Sequence, residues 1–307
     1  HICVGLEGCK NIIDFKFGYY HTFVHSADDI LYTCGTESGS SFKNPNNEYG
    51  YFNRNTYFYN LAKENGGIKG IYANNFNSSI LLTKNNKLFC CGKNNTCCLG
   101  NAIEGDKDIN IPVQMPVFLP VIPEISTPYK IREVACGYTS SFFLLEEGFA
   151  FTCGSQDQCQ CVSKANENNG NTRNHREYLA LYPPLWTRFR HVVAGEEFFL
   201  LLVEELNDKS YGKLYSVGDN ESGRAGVGEN NKYNKLQKIE TVEDKSFSVI
   251  ASRNENSAAI STEGELYVFG FNNSYALGLG DSKNRYVPTK VERLKDYCCD
   301  HVGISQN

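Results

Sequence analysis

The strongest constraint on this chain is a strand-like pentad ending in glycine that recurs along its length. Leu266–Gly270 reads Leu-Tyr-Val-Phe-Gly, and comparable pentads stand at Leu31–Gly35, Leu88–Gly92, Ala150–Gly154 and Leu214–Gly218. Hydrophobic and aromatic residues before the glycine suit a strand, and the glycine tolerates the positive φ of a tight loop. Successive glycines lie 57, 62, 64 and 52 residues apart, slightly beyond the usual window for solenoids and propellers, so the excess length is expected in loops.

A second mark keeps phase with the first. Gly18, Asn75, Gly137 and Arg253 each precede their pentad glycine by 17 residues, and Gly195 precedes Gly218 by 23. Between the marks each copy carries an apolar run and a polar turn, such as Lys84–Lys87, Glu146–Gly148 or Thr262–Glu265, which is the pattern of a β-hairpin. The surplus in the longer copy is the polar insert around Asn207 to Ser210. At the chain ends His1–Gly5 fits the pentad, and Tyr297–Asp300 fits the upstream mark with Asp300 in the glycine place. Those two halves make a sixth unit. Pairing between them would close a ring of six blades and leave no sheet edge open. Residues 1–307 then form a single domain, because propeller blades pack on their neighbours and have no separate cores.

The tails after the pentads carry a family likeness. Gly218–Gly228, Gly270–Asp281 with Val287–Leu294 and, less fully, Lys93–Gly100 resemble the repeat of the regulator of chromosome condensation family. The likeness fades in Ser155–Cys159 and Thr36–Gly39. The resemblance implies an all-β propeller of four-stranded blades closed by both termini. Members usually have seven blades, so a count of six departs from the family and leaves room for a divergent seventh.

Composition narrows the partners. The formal net charge is −5, which does not provide the electrostatic footprint of direct nucleic-acid or acidic-membrane binding. The longest apolar run, Phe198–Val203, is far too short to span a bilayer. Thirteen cysteines invite a metal or disulfide reading. Cys34, Cys91 and Cys153, however, occupy the pentad position held elsewhere by Val217 and Phe269, and so are expected to be buried hydrophobes. Cys97-Cys98, Cys159 with Cys161, and Cys298-Cys299 lack paired zinc spacing. No metal and no cofactor is expected. Free thiols in this number suggest an intracellular, reducing compartment such as cytoplasm or nucleus, where the sequons at Asn77, Asn94, Asn220 and Asn272 would be incidental. The sequence opens on His1, which leaves the native N-terminus and any targeting segment open.

Among the variable loops, the aromatics of Tyr49–Tyr59 are expected in blade strands, with an exposed contact patch as the second reading, and the proline-rich stretch 101–128 as an extended edge segment. Val162–Arg176 is expected as an exposed polar insert, and Trp186 as an outer-strand packing residue, with a partner anchor as its second reading.

No glycine-rich phosphate loop, nucleophile elbow or His-Glu pair at helical spacing occurs, so an enzyme is not expected. The resemblance points instead to protein binding, the founding member being a nucleotide-exchange factor for the Ran GTPase. Family repeats read Gly-x-x-His-Ser/Thr at the upstream mark, and only Gly18–Thr22 keeps that motif whole. The three residues after each mark vary, and loops after strands of one order emerge on one face. We therefore expect a non-catalytic adaptor or regulatory propeller, binding a protein partner, a small GTPase or a larger complex. Its contact residues would be Tyr19, Tyr20, His21, Phe76, Tyr138, Glu196, Glu197, Asn254 and Glu255. His21 has a second reading, a structural hydrogen bond within its blade. The alternative function is guanine nucleotide exchange on a Ran-like GTPase, with the insert 162–176 as the wedge.

Overall fold

A computed structural model of the protein describes residues 6, 9, 11–18, 20–35, 50–73, 78–94, 98–99, 109–115, 122–125, 128–155, 175–207 and 212–304. They fall in two compact units, His1–Phe118 and Leu119–Asn307. The first unit holds two four-stranded antiparallel sheets. One is β1 (Ile12–Phe17), β2 (His21–Ser26), β3 (Leu31–Gly35) and β4 (Asn53–Arg54); the other is β5 (Ile68–Ala73), β6 (Ser78–Thr83), β7 (Leu88–Gly92) and β8 (Ile109–Gln114). The second unit holds three: β9 (Ile131–Cys136) to β12 (His175–Leu181) by way of β10 (Ser140–Leu145) and β11 (Ala150–Gly154); β13 (Thr187–Ala194), β14 (Phe198–Glu205), β15 (Lys213–Asp219) and β16 (Lys232–Lys238); and β17 (Phe247–Arg253), β18 (Asn256–Ser261), β19 (Leu266–Gly270) and β20 (Arg285–Lys290). Every glycine-ended pentad is a third strand, paired along its length with the apolar run before it, as in Asn256↔Gly270 through Ile260↔Leu266.

Burial follows from stacking. In the second unit Phe142 and Leu144 meet Phe189, Val192, Phe199 and Leu201, while on the other face of the middle sheet Phe198, Leu200, Leu202 and Leu214 meet Phe247, Ile250, Tyr267 and Phe269. The continuous run Phe198–Val203 is thus covered on both faces and is buried throughout, where an alternating pattern would mark a half-solvated strand. Each such side chain contributes about 1.5–3 kcal/mol by leaving water. The first strand of every sheet carries one extra residue out of register with the second: Ile13, Lys69, Arg132, Arg190 and Ser248. These bulges bend the strand and free one side chain from the ladder.

Several expectations need correction. Five sheets, not six, stand among the described residues, and among these residues no strand pairing joins the two ends of the chain. His1–Gly5 lie outside the described residues. Tyr297–Asp300 is no strand, and its phase differs from the one expected. The Phe189 N–H donates to Gly148 O, the Phe247 N–H to Gly212 O, and the Cys299 N–H to Gly264 O, so Cys299 stands where a first strand begins. Val302 and Ile304 then lie on the outer face of the last sheet, against Ala258, Val268, Leu277 and Val291, beside a cavity of about 460 Å³. No described strand follows to pair with this segment.

Cys91 and Cys153 are buried, but Cys34 is only partly so. It belongs to the sheet whose first strand exposes Ile12 and Phe15 at 51 and 57 %, positions at which the other sheets bury Ile68, Ile71, Ile131, Val134, Phe189, Val192, Phe247 and Ile250. From residue 50 on, the Tyr49–Tyr59 segment holds only the two-residue strand β4 before it enters a helix, α1 (Thr56–Glu64), capped by the Asn55 side chain. It buries Phe58 and leaves Tyr51 half exposed. In the proline-rich stretch, β8 is an edge strand carrying Pro112, the place where a missing N–H costs no ladder bond.

Three sequon asparagines have a structural role that the sequence alone did not reveal. Asn94, Asn220 and Asn272, each two residues past a pentad glycine, are buried. Their Oδ1 atoms accept from Leu99, Ala225 and Leu277 N–H at 3.0, 2.9 and 2.9 Å, and Asn220 also from Gly226 at 3.1 Å. Each thereby folds its glycine-rich tail back over the sheet. Removing the amide in Asn220→Ala strands two buried donors and should cost about 2–4 kcal/mol, read as a lower denaturant midpoint in urea unfolding.

Candidate functional site

The loops after the upstream marks are placed by the pentad glycines. Gly270 has φ +111°, and a Cβ there would lie 2.1 Å from Glu255 O; the next N–H, of Phe271, donates to that same carbonyl at 3.1 Å. Asp219 N–H likewise donates to Glu197 O and Ser155 N–H to Thr139 O, both at 2.9 Å. Only glycine lets the loop backbone approach this closely.

In the second unit the loops are also joined side by side. The Tyr138 N–H donates to Glu196 O at 2.8 Å, and the Glu196 N–H to Asn254 O at 2.9 Å. Tyr138, Glu196, Glu197, Asn254 and Glu255 therefore share one end of three successive sheets, and all are partly exposed. Arg224, 3 % exposed, lies beneath them. Its guanidinium reaches Glu255 at 3.0 Å, Glu221 at 3.4 Å and Glu197 at 3.7 Å. The Ser257 hydroxyl fixes its backbone by donating to Arg224 O at 2.8 Å. Burial raises the pKa of both Glu197 and Glu255 in spite of Arg224, and neighbouring acids add to the effect. One guanidinium thus serves three carboxylates, of which Glu197 and Glu255 are partly out of water and Glu221 is exposed. Arg224 escaped the sequence reading. Its signal was an arginine six residues past the glycine, where the other tails have Cys98 and Ala276.

The first unit places its candidates differently. Tyr20 is 49 % exposed, whereas Tyr19 and Phe76 lie outside the described residues. His21 does not belong to a contact surface. It is 3 % exposed, its Nε2 is 3.1 Å from Ser79 Oγ, and its ring lies so close over Gly18 that a Cβ there would sit 2.1 Å away. Phe198 fills the equivalent slot over Gly195. The slot is a ring seat, and only its hydrogen bond is particular to histidine. Trp186 also departs from expectation. It sits in a turn at positive φ, 70 % exposed beside Leu185 at 89 %, at the opposite end of β13 from Glu196. The insert 162–174 lies outside the described residues.

Among the described residues no group of three or more His, Cys, Asp or Glu side chains is placed to hold a metal ion, and no helix is long and apolar enough to cross a membrane. Repeated four-stranded antiparallel sheets, with the mark loops of the second unit joined at one end, define a β-propeller protein. Comparison with known proteins agrees: the chain aligns with human WBSCR16 at a TM-score of 0.69 and 18 % identity, over 91 % of this chain and 67 % of that one. It aligns with Prp20p of Saccharomyces cerevisiae at 0.57 and 20 %, over 92 % and 77 %.

The repeat of the regulator of chromosome condensation (RCC1) family matches residues 85–144 and 263–305, so the chain carries RCC1-type repeats over these two stretches. Over 104 residues the chain is 31 % identical to the ultraviolet-B receptor UVR8 of Arabidopsis thaliana, covering 34 % of this chain and 22 % of the receptor. Over 241 residues it is 25 % identical to the probable E3 ubiquitin-protein ligase HERC3 of Homo sapiens, covering 64 % and 23 %. The chain thus spans less than a quarter of the length of these two relatives.

Burial pushes the His21 pKa down to about 3. The unfolded state therefore binds a proton that the folded state refuses, and stability falls as pH drops below about 6.5. The loss should reach about 2 kcal/mol by pH 5. His21→Phe, which fills the seat as Phe198 does, should flatten that part of the pH–stability curve measured by urea denaturation between pH 7 and 5.

Proposed function

We propose that this protein is a non-catalytic interaction propeller, an adaptor or regulatory subunit, that binds a protein partner through the mark-loop end of its second unit. The observation that carries this reading is the joined series Tyr138–Glu196–Asn254, with Glu197 and Glu255 drawn together over Arg224. Its backbone is fixed by hydrogen bonds that any sequence could make, so the side chains are free to encode identity. An aromatic residue among partly buried carboxylates suits a partner surface with lysine or arginine groups, which would complete the charge compensation that Arg224 begins. Tyr20 of the first unit is offered as a further contact, and Tyr19 and Phe76 stay with it as candidates. The long relatives support the reading in part, since HERC3 carries its similar segment within a much larger protein.

Guanine nucleotide exchange on a Ran-like GTPase is the second reading. What favours it is the likeness in fold to Prp20p, whose structure was described together with its binding to Gsp1p and histones. Against it stands the loss of the Gly-x-x-His motif everywhere but Gly18–Thr22.

The variant Tyr138→Ala with Glu196→Lys should lose the partners that the parent captures and keep its melting temperature within a few degrees, since both side chains are partly exposed. Retention of the same partners by this variant would place the contact elsewhere. Release of labelled guanine nucleotide from Ran by catalytic amounts of protein would move the second reading ahead of the first.

A further inference from the structure

We infer that the bulge residues of three successive first strands form a binding site for a phosphate-bearing small molecule. Arg132, Arg190 and Ser248 are the extra residues of β9, β13 and β17, spaced by 58 residues each. All three line one cavity of about 430 Å³, together with His191, Glu204 and the apolar Leu202. That volume suits a small ligand, and apolar wall with a few convergent charges is the usual make-up of such sites. The bulge explains the convergence, because it releases one side chain per strand from the alternation that commits its neighbours to the core.

The charges in and around the cavity do not cancel. Glu204 accepts from Arg188, and it is 2.7 Å from Arg190 Nε and 3.2 Å from Arg190 Nη2, so one carboxylate serves two guanidiniums. Glu133 is occupied by the His191 Nδ1 at 2.8 Å and by the Val192 N–H at 2.8 Å. Arg132 is exposed, and its side chain makes no hydrogen bond or ion pair among the described residues. Three guanidiniums therefore face two carboxylates, in a chain whose net charge is −5. A concave, partly apolar wall focuses such a positive field.

A phosphate group is the ligand chemistry that fits. Its negative charge is what the excess attracts, and its oxygens can be shared between guanidiniums from two strands, each able to present paired N–H donors. The carbon part of a small phosphate ester would lie on Leu202 and Phe247, which also line the cavity.

The test is calorimetric titration of the protein with inorganic phosphate and with glycerol 3-phosphate, using sodium chloride at matched ionic strength as the control. Saturable binding is expected for both phosphates and none for chloride. Arg132→Gln should weaken binding about tenfold or more, as loss of a charge-assisted bidentate contact does, with Arg132→Lys recovering part. The unliganded melting temperature should be unchanged, because Arg132 has no partner to lose. The Tyr138→Ala, Glu196→Lys variant should bind phosphate like the parent, which separates this site from the proposed partner face. Equal heats with chloride, or unaltered affinity in Arg132→Gln, would overturn the assignment.

Discussion

The structure depends on one close approach, that of a loop carbonyl to a backbone position where no side chain can stand. At Gly154, Gly218 and Gly270 the φ is near +110 to +117°, and a Cβ would meet Thr139 O, Glu197 O or Glu255 O within 2.5 Å. The carbonyl then takes the N–H of the residue after the glycine. This contact ends the third strand, pins the loop between the first and second strands, and starts the tail that Asn220 or Asn272 folds down. Strand length, loop position and tail path are all set from a single point in each repeat. A repeat so anchored tolerates wide change elsewhere, which is why the spacing between glycines varies while the fold within each sheet does not.

Stacking supplies a second constraint, because each sheet must offer the face that its successor needs. Leu200, Leu214, Ala225 and Ile239 of one repeat receive Phe247 and Ile250 of the next. The same positions one repeat later are Ala258, Leu266, Leu277 and Val291, and these receive Val302. Cys299 begins the approach with the hydrogen bond that Phe189 and Phe247 make in their own repeats. The last described segment therefore follows the path of a first strand without the partner that would make it one.

Much of this was legible from the glycines and the apolar runs, since period-two burial and positive φ are local demands that leave a local mark. The five pentads predicted five strands, and the apolar runs before them predicted the strands with which they form hairpins. What failed was phase and context. Asp300 resembled a mark because it follows aromatic and cysteine residues, yet the hydrogen bond of Cys299 sets the repeat five residues differently. Tyr49–Tyr59 looked like strand by residue type, but Asn55 caps a helix there. Trp186 was readable as outer-strand packing or as a partner anchor, and a turn at positive φ that holds it in solvent removes the packing reading. Arg224 could not be found by pattern, for its meaning comes from Glu197 and Glu255, which reach it from other loops.

The contrast between His21 and Arg224 shows where function can reside in such a repeat. His21 carries the family's motif, and the fold consumes it: the ring fills a seat over Gly18 that Phe198 fills equally well over Gly195. Its burial suppresses its charge, so it can offer a partner neither area nor proton. Arg224 has no motif, and its equivalents Cys98 and Ala276 are uncharged. Because the tail backbone is held by asparagine and glycine, the residue at this position can change without cost to the sheet. Charge placed there acts on the loops above it, and through them on whatever meets that end of the propeller. In this protein, then, positions that recur serve the fold, and departures at equivalent positions are where recognition is best sought.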